Sequence, residues 1–180
     1  MASSVKLQQI LESDNQATRQ KLRELFNDSL FRPQFTLTLD QQREIALERL
    51  RKICAAKVIS VFDFERNPLN IFAVHELVGM VDGSVATKLT VQFNLFGGTL
   101  LKLGTERHRE IVKGVDDLSV IGCFALTELG YGNNAIEMET VAKYDSTSDT
   151  ITVNSPTVLS QKFWITNSAV HANYAIVFAQ

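Results

Sequence analysis

Apolar residues recur at helical spacing through the first 118 or so positions and in strand-like runs after that. Val5, Leu7, Ile10 and Leu11 form a short stripe, and Asp14 or Asn15 can cap a following helix with Ala17, Leu22, Leu25 and Phe26. Arg32-Pro33 ends it, because proline disfavours α geometry in the residue before it. Asp40 stands where a cap would start a long helix, with Ile45, Leu47, Leu50, Ile53, Cys54 and Val58 inward. Arg49, Arg51, Lys52 and Lys57 come late in it, as the helix dipole favours. Asn67-Pro68 reads as a cap and a first helical residue. The helix predicted over 69–80 is apolar almost all round and is expected to be internal.

Asp82-Gly83-Ser84 punctuates the chain before a second buried helix over 85–103. That helix contains Gly97-Gly98 at a cost of roughly 1 kcal/mol per glycine relative to alanine, which points to close packing against its backbone. Thr105 is expected to cap a short polar helix ending near Lys113-Gly114, with 107–110 a solvated face. Strands are expected over 120–126, 139–144, 150–154, 162–166 and 174–179, with a hairpin turn at 145–149. The expected fold class is α+β: an all-helical N-terminal domain over 1–117, then an incomplete antiparallel β-barrel-like domain over 118–180. Five strands are too few to close an ordinary barrel, so the β-domain reads as unfinished at Gln180.

Composition changes this picture little. Hydrophobic residues make up 45% and charged residues 21%, enough apolar content for a sizeable core. A net charge of −2 with mixed signs does not favour nucleic acid or an anionic membrane, and no apolar run is long enough for a membrane span. Neither a secretory core nor an Arg-rich transit pattern stands at the N-terminus, which suggests a soluble intracellular protein or a piece of one. Cys54 and Cys123, both in apolar surroundings, read as buried free thiols. His75 reads as a satisfied core histidine, and His108 and His171 as surface or loop residues. No metal, phosphate-loop or nucleophile constellation is visible.

The chemistry concentrates in residues 121–134, IGCFALTELGYGNN. An apolar strand leads to a hydroxyl at Thr127 and to Gly130 and Gly132, where a backbone can meet a flat or phosphorylated ligand with no Cβ between. Residues 161–167, QKFWITN, offer a second aromatic and hydroxyl about one hairpin later. Glu128 has no partner carboxylate at a useful spacing and reads as a structural hydrogen-bonding group.

Together with Gln92-Phe93-Asn94-Leu95-Phe96-Gly97-Gly98 and the 103–108 run, these motifs resemble the acyl-CoA oxidases, within the wider acyl-CoA dehydrogenase/oxidase superfamily. The resemblance runs from about Phe62 to Gln180. It implies FAD as cofactor and the conversion of acyl-CoA to 2-trans-enoyl-CoA in fatty-acid β-oxidation. It also implies a homodimer of the full-length protein and a further C-terminal helical bundle that supplies the glutamate base, so no catalytic residue is assigned within this chain. By residue, the resemblance assigns Leu126 and Thr127 to the flavin pyrimidine edge, and Gly132 and Asn133 to the pyrophosphate and thioester arm. The resemblance likewise implies that Trp164 lies against the flavin and Thr166 near its N5 edge. Flavin reduction places negative charge on the N1–C2=O edge, which preorganised donors stabilise.

Asn133-Asn134 stand where relatives more often carry a serine, and Thr166-Asn167 have the dehydrogenase form of the motif. Electron transfer to O2 and to an electron-transfer flavoprotein are therefore both open at this stage, as are a peroxisomal and a mitochondrial location. A truncated, non-catalytic interaction or assembly module is the alternative of a different class.

Overall fold

The computed structural model describes residues 2–180, with side chains from residue 7 onward. It divides into two compact units, Met1–Val120 and Ile121–Gln180. The first is helical: α1 (Ala2–Leu11), α2 (Gln16–Leu25), α3 (Leu39–Ala55), α4 (Asp63–Arg66), α5 (Pro68–Val81), α6 (Gly83–Leu89), α7 (Gly98–Leu103) and α8 (Arg109–Lys113). A π-helical segment, Thr90–Gly97, makes α6 and α7 one continuous rod. α3 packs on α6, α2 on α5, and α5 on α6. Leu22, Leu50, Ile53, Val61, Val74, Val85, Leu89, Phe93 and Phe96 fill the core between them.

Several expectations change at this level. The cap of α3 is Thr38, two residues before Asp40: its hydroxyl accepts from Gln41 N, and the Gln41 amide oxygen accepts from Thr38 N at 2.9 Å. Asp40 sits in the first turn. Asn67 does begin α5 ahead of Pro68, but its side chain donates to Asn15 Oδ1 at 2.7 Å and caps nothing. α5 is not internal all round, since Leu69, Phe72 and Met80 are exposed. Leu7, Ile10 and Leu11 of the first stripe are exposed as well, and the Val5 side chain lies outside the described residues.

Arg19 and Arg49 are buried. Arg19 bonds Asp14 and Glu76, and Arg49 bonds Asp82 and the carbonyls of Leu30 and Arg32. A buried guanidinium needs such full pairing, because removing its partners leaves a costly uncompensated charge. His75 is half-buried and satisfied: Ile71 O lies 2.8 Å from Nδ1 and Thr90 Oγ1 lies 3.2 Å from Nε2. Burial lowers its pKa, so the ring is neutral, with the proton on Nδ1 facing the carbonyl. Cys54 and Cys123 are buried free thiols. Burial, aided by Asp116 and Asp117, pushes Cys54 up to about 12, which makes it inert.

Of the glycine pair, Gly97 marks close packing, whereas a Cβ on Gly98 would make only ordinary contacts, the nearest 3.5 Å from Phe93 O. A Cβ on Gly97 would lie 2.9 Å from methyls of both Val61 and Val115. Next to it, the fully buried Gln92 amide donates to Val115 O and Val120 O at 3.1 and 2.6 Å.

The second unit holds four strands, β1 (Gly122–Ala125), β2 (Val141–Asp145), β3 (Thr150–Asn154) and β4 (Tyr174–Val177). β2 and β3 form the expected antiparallel hairpin, with the Asp145 carboxylate accepting from Thr147 N and Ser148 Oγ in its turn. β1 and β4 pair in parallel, Gly122 opposite Tyr174 and Ala125 opposite Val177. The expected incomplete antiparallel, barrel-like domain is met only in part: one of the two strand pairs is parallel, and no closed barrel forms among the described residues. The segment after β4 joins the two pairs: Phe178 N donates to Ala125 O, Gln180 N to Thr140 O, and Ala142 N to Gln180 O. Residues 162–166 are not a strand. Trp164 and Asn167 take positive φ, 63° and 72°, which breaks any extended run and leaves one isolated bridge, Glu128 to Lys162.

Candidate functional site

β1 buries Cys123 and Ala125, and Phe124 meets Phe178 edge-on with centroids 4.8 Å apart. The parallel ladder stops after Ala125, so the next residues turn out of the sheet. Leu126 and Thr127 are half-buried, and their backbone N–H groups donate to no acceptor among the described residues. Their other polar atoms are engaged. Leu126 O accepts from Lys162 Nζ at 3.1 Å, Thr127 O accepts from Phe163 N at 3.1 Å, and the Thr127 hydroxyl donates to Phe163 O. Two donors thus stand free at the end of a rigid strand, on backbone held in place from the other side.

Residues 127–130 and 159–163 are zipped together, with Leu129 N donating to Gln161 O and Gly130 N to Leu159 O, both at 2.9 Å. Beneath the zipper lies Glu128, 2% exposed. Its Oε1 accepts from Thr140 N at 3.0 Å, Thr140 Oγ1 at 2.6 Å and Lys162 Nζ at 3.1 Å, and its Oε2 accepts from Glu139 N at 2.9 Å. Burial alone would raise this carboxyl, but the donors from Thr140, Glu139 and Lys162 outweigh it and bring it down to about 2. A group so depressed is a poor proton acceptor near neutrality, and Glu128 is structural.

Gly132 closes the tight turn that begins at Glu128: its N–H donates to Glu128 O at 2.8 Å, and Glu128 N donates back to Gly132 O at 3.2 Å. It takes φ +56° and faces open space, where an added Cβ would touch nothing within 4 Å. Asn133 follows it, exposed. Trp164 is 84% exposed in a left-handed conformation, its ring tilted against Phe163 at 6.3 Å. Such a backbone costs a non-glycine residue roughly 1–2 kcal/mol, which the neighbouring zipper must hold in place. Thr166 is half-buried beside Asn167, whose Nδ2 donates to Gly122 O at 3.2 Å.

Direct bonds therefore link Leu126 to Lys162 and Thr127 to Phe163, the neighbour of Trp164, and they link Gly132 to Glu128. Asn133 and Thr166 adjoin this group along the chain. Sequence reasoning missed Lys162 and Thr140. The signal for Lys162 was a lone cation directly before the Phe163-Trp164 pair; the bridge that sets it opposite Glu128 is visible only in the fold. Among the described residues no cluster of His, Cys, Asp or Glu could hold a metal ion, and no helix is long and apolar enough to cross a membrane.

No protein-family model matches the chain. A putative peroxisomal acyl-coenzyme A oxidase 3.2 of Arabidopsis thaliana is 40% identical over 152 residues, 82% of this chain and 22% of that protein. The crystal structure of acyl-CoA oxidase 3 from Yarrowia lipolytica superposes with a TM-score of 0.80 at 26% identity, over 97% of this chain and 25% of the other. Acyl-CoA oxidase-2 of Caenorhabditis elegans, solved with FAD, ascaroside-CoA and ATP, shares the fold at a TM-score of 0.58 and 20% identity, over 91% and 25%. The chain thus spans about a fifth to a quarter of the length of the proteins it matches. In sequence over 82% of its length, and in fold over nearly all of it, the chain is a homologue of the acyl-CoA oxidases.

Proposed function

We propose that this chain is the part of a flavin-dependent acyl-CoA oxidase that holds the pyrimidine edge and one face of FAD. The observation that carries the reading is the pair of unengaged N–H groups on Leu126 and Thr127 at the end of β1, next to the exposed Trp164 ring. Backbone donors in fixed positions suit a carbonyl edge that gains negative charge on reduction. A bare glycine backbone at Gly132, with Asn133 beside it, suits the approach of a pyrophosphate. An exposed indole suits a flat aromatic ring system.

FAD, when bound, would supply the two-electron chemistry of hydride acceptance. The residues here would do the holding: Leu126 and Thr127 would donate to the N1–C2=O edge, Trp164 would cover the ring, and Thr166 would lie toward the N5 edge. The overall reaction takes acyl-CoA and O2 to 2-trans-enoyl-CoA and hydrogen peroxide in fatty-acid β-oxidation. The α-proton goes to a glutamate of the family's C-terminal helical domain, since Glu128 is tied up and too acidic for that role. In this reading 1–117 is the N-terminal helical domain, and 118–180 is part of a middle β-domain. The full-length protein acts as a homodimer. A peroxisomal location is supported by the Arabidopsis relative, which is named as peroxisomal.

Gel filtration of the purified chain after incubation with FAD tests the reading. Flavin absorbance should travel with the protein. Flavin found only in the small-molecule fraction, from a folded sample, would contradict it.

A further inference from the structure

We propose that Lys162 is a positioning residue that aims and polarises the Thr127 N–H toward the flavin edge, through the carbonyl of Leu126. The inference rests on the flavin reading above. Leu126 O and Thr127 N–H belong to one peptide group, which is planar and trans, so they point in opposite directions. Lys162 Nζ lies 3.1 Å from that oxygen. Pinning the carbonyl from one side therefore fixes where the N–H points on the other, and that N–H has no acceptor among the described residues.

A cation bonded to a carbonyl also draws electron density through the amide. Hydrogen bonds in such a chain strengthen one another, most where solvent is sparse. The Lys162 side chain is 15% exposed. Its ammonium is in turn held by Glu128, itself fixed by Thr140 and Glu139. The buried carboxylate thus orients the lysine, and the lysine orients the peptide. Because the polarised donor meets charge that develops on the flavin, its effect falls mainly on the reduced form.

The test compares wild type with Lys162→Met, Lys162→Arg and the double variant Glu128→Gln/Lys162→Met, which leaves no unpaired carboxylate if the single change destabilises the fold. The bound flavin's midpoint potential should fall in both variants that lack the cation. That fall would mean a loss of about tenfold in the preference of the site for reduced over oxidised flavin, with most of it restored by arginine. Independently of flavin, the Thr127 amide proton should move upfield in Lys162→Met, while an amide outside the Glu128 network, Thr147 N bonded to Asp145, keeps its shift. Flavin bound at an unchanged potential, or an unmoved Thr127 amide, would overturn the proposal and leave the flavin reading intact. A wild-type chain that takes up no flavin would overturn both.

Discussion

Glu128 gathers four donors from two stretches of chain, 139–140 and Lys162, and its acidity reflects how they hold it. Its folded pKa, about 2, lies below the ordinary 4.5. Its ionised form therefore stabilises the fold at neutral pH, and that contribution is lost as pH falls from 4.5 toward 2. The linked free energy is on the order of 3 kcal/mol. Urea unfolding from pH 7 to pH 2 should show Glu128→Gln less stable than wild type at neutrality, with the two curves converging in acid. Parallel curves would refute this. Gly132→Ala isolates a different cost: at φ +56° with open space around it, only backbone strain counts, and roughly 1 kcal/mol should be lost from the thermal unfolding free energy. Thr127, Gly132 and Trp164 stand out in the sequence because their types and spacing carry the motif. The burial of Arg19 and Arg49 does not, because cations are expected outside and Glu76 and Asp82, which pair with them, stand 57 and 33 residues away.

Among the elements, the helices were the legible part, since apolar spacing and proline mark most of their extents directly. Their ends were less so. Thr38 competes with Asp40 for the start of α3, and only the reciprocal bond with Gln41 decides it. Thr38→Ala should cost about 1 kcal/mol in thermal or urea unfolding, and Asp40→Ala clearly less. The π-helical turns of Thr90–Gly97 are invisible to a helical pattern, because a widened turn changes the bonding and not the residue types. Gly97→Ala should destabilise by about 1–3 kcal/mol, since its Cβ would press two valine methyls at 2.9 Å and Gln92 O at 3.0 Å. An unchanged midpoint would mean that the rod can shift away from Val61 and Val115. The 162–166 segment reads as a strand from its aromatic and β-branched residues, yet positive φ at Trp164 and Asn167 belongs to tertiary bonding that no local pattern encodes. The parallel pairing of β1 with β4 is illegible for the same reason, being a long-range choice between partners.

At the scale of the molecule, the helical unit is built around a dense apolar core, whereas the second unit is organised by a buried carboxylate and backbone zippering. That second unit leaves Phe163, Trp164, Ile136 and Val170 in solvent. Large exposed aromatics next to unengaged donors are what a cofactor face requires, and the same surface gives a direct probe. Trp164 is the only tryptophan in the sequence and is 84% exposed. Titration of the chain with FAD, followed by tryptophan fluorescence, tests the central claim. The account predicts saturable quenching that Thr127→Pro, which removes the N–H donor, weakens by about tenfold. Fluorescence that falls only as far as the absorbance of added flavin requires would contradict it.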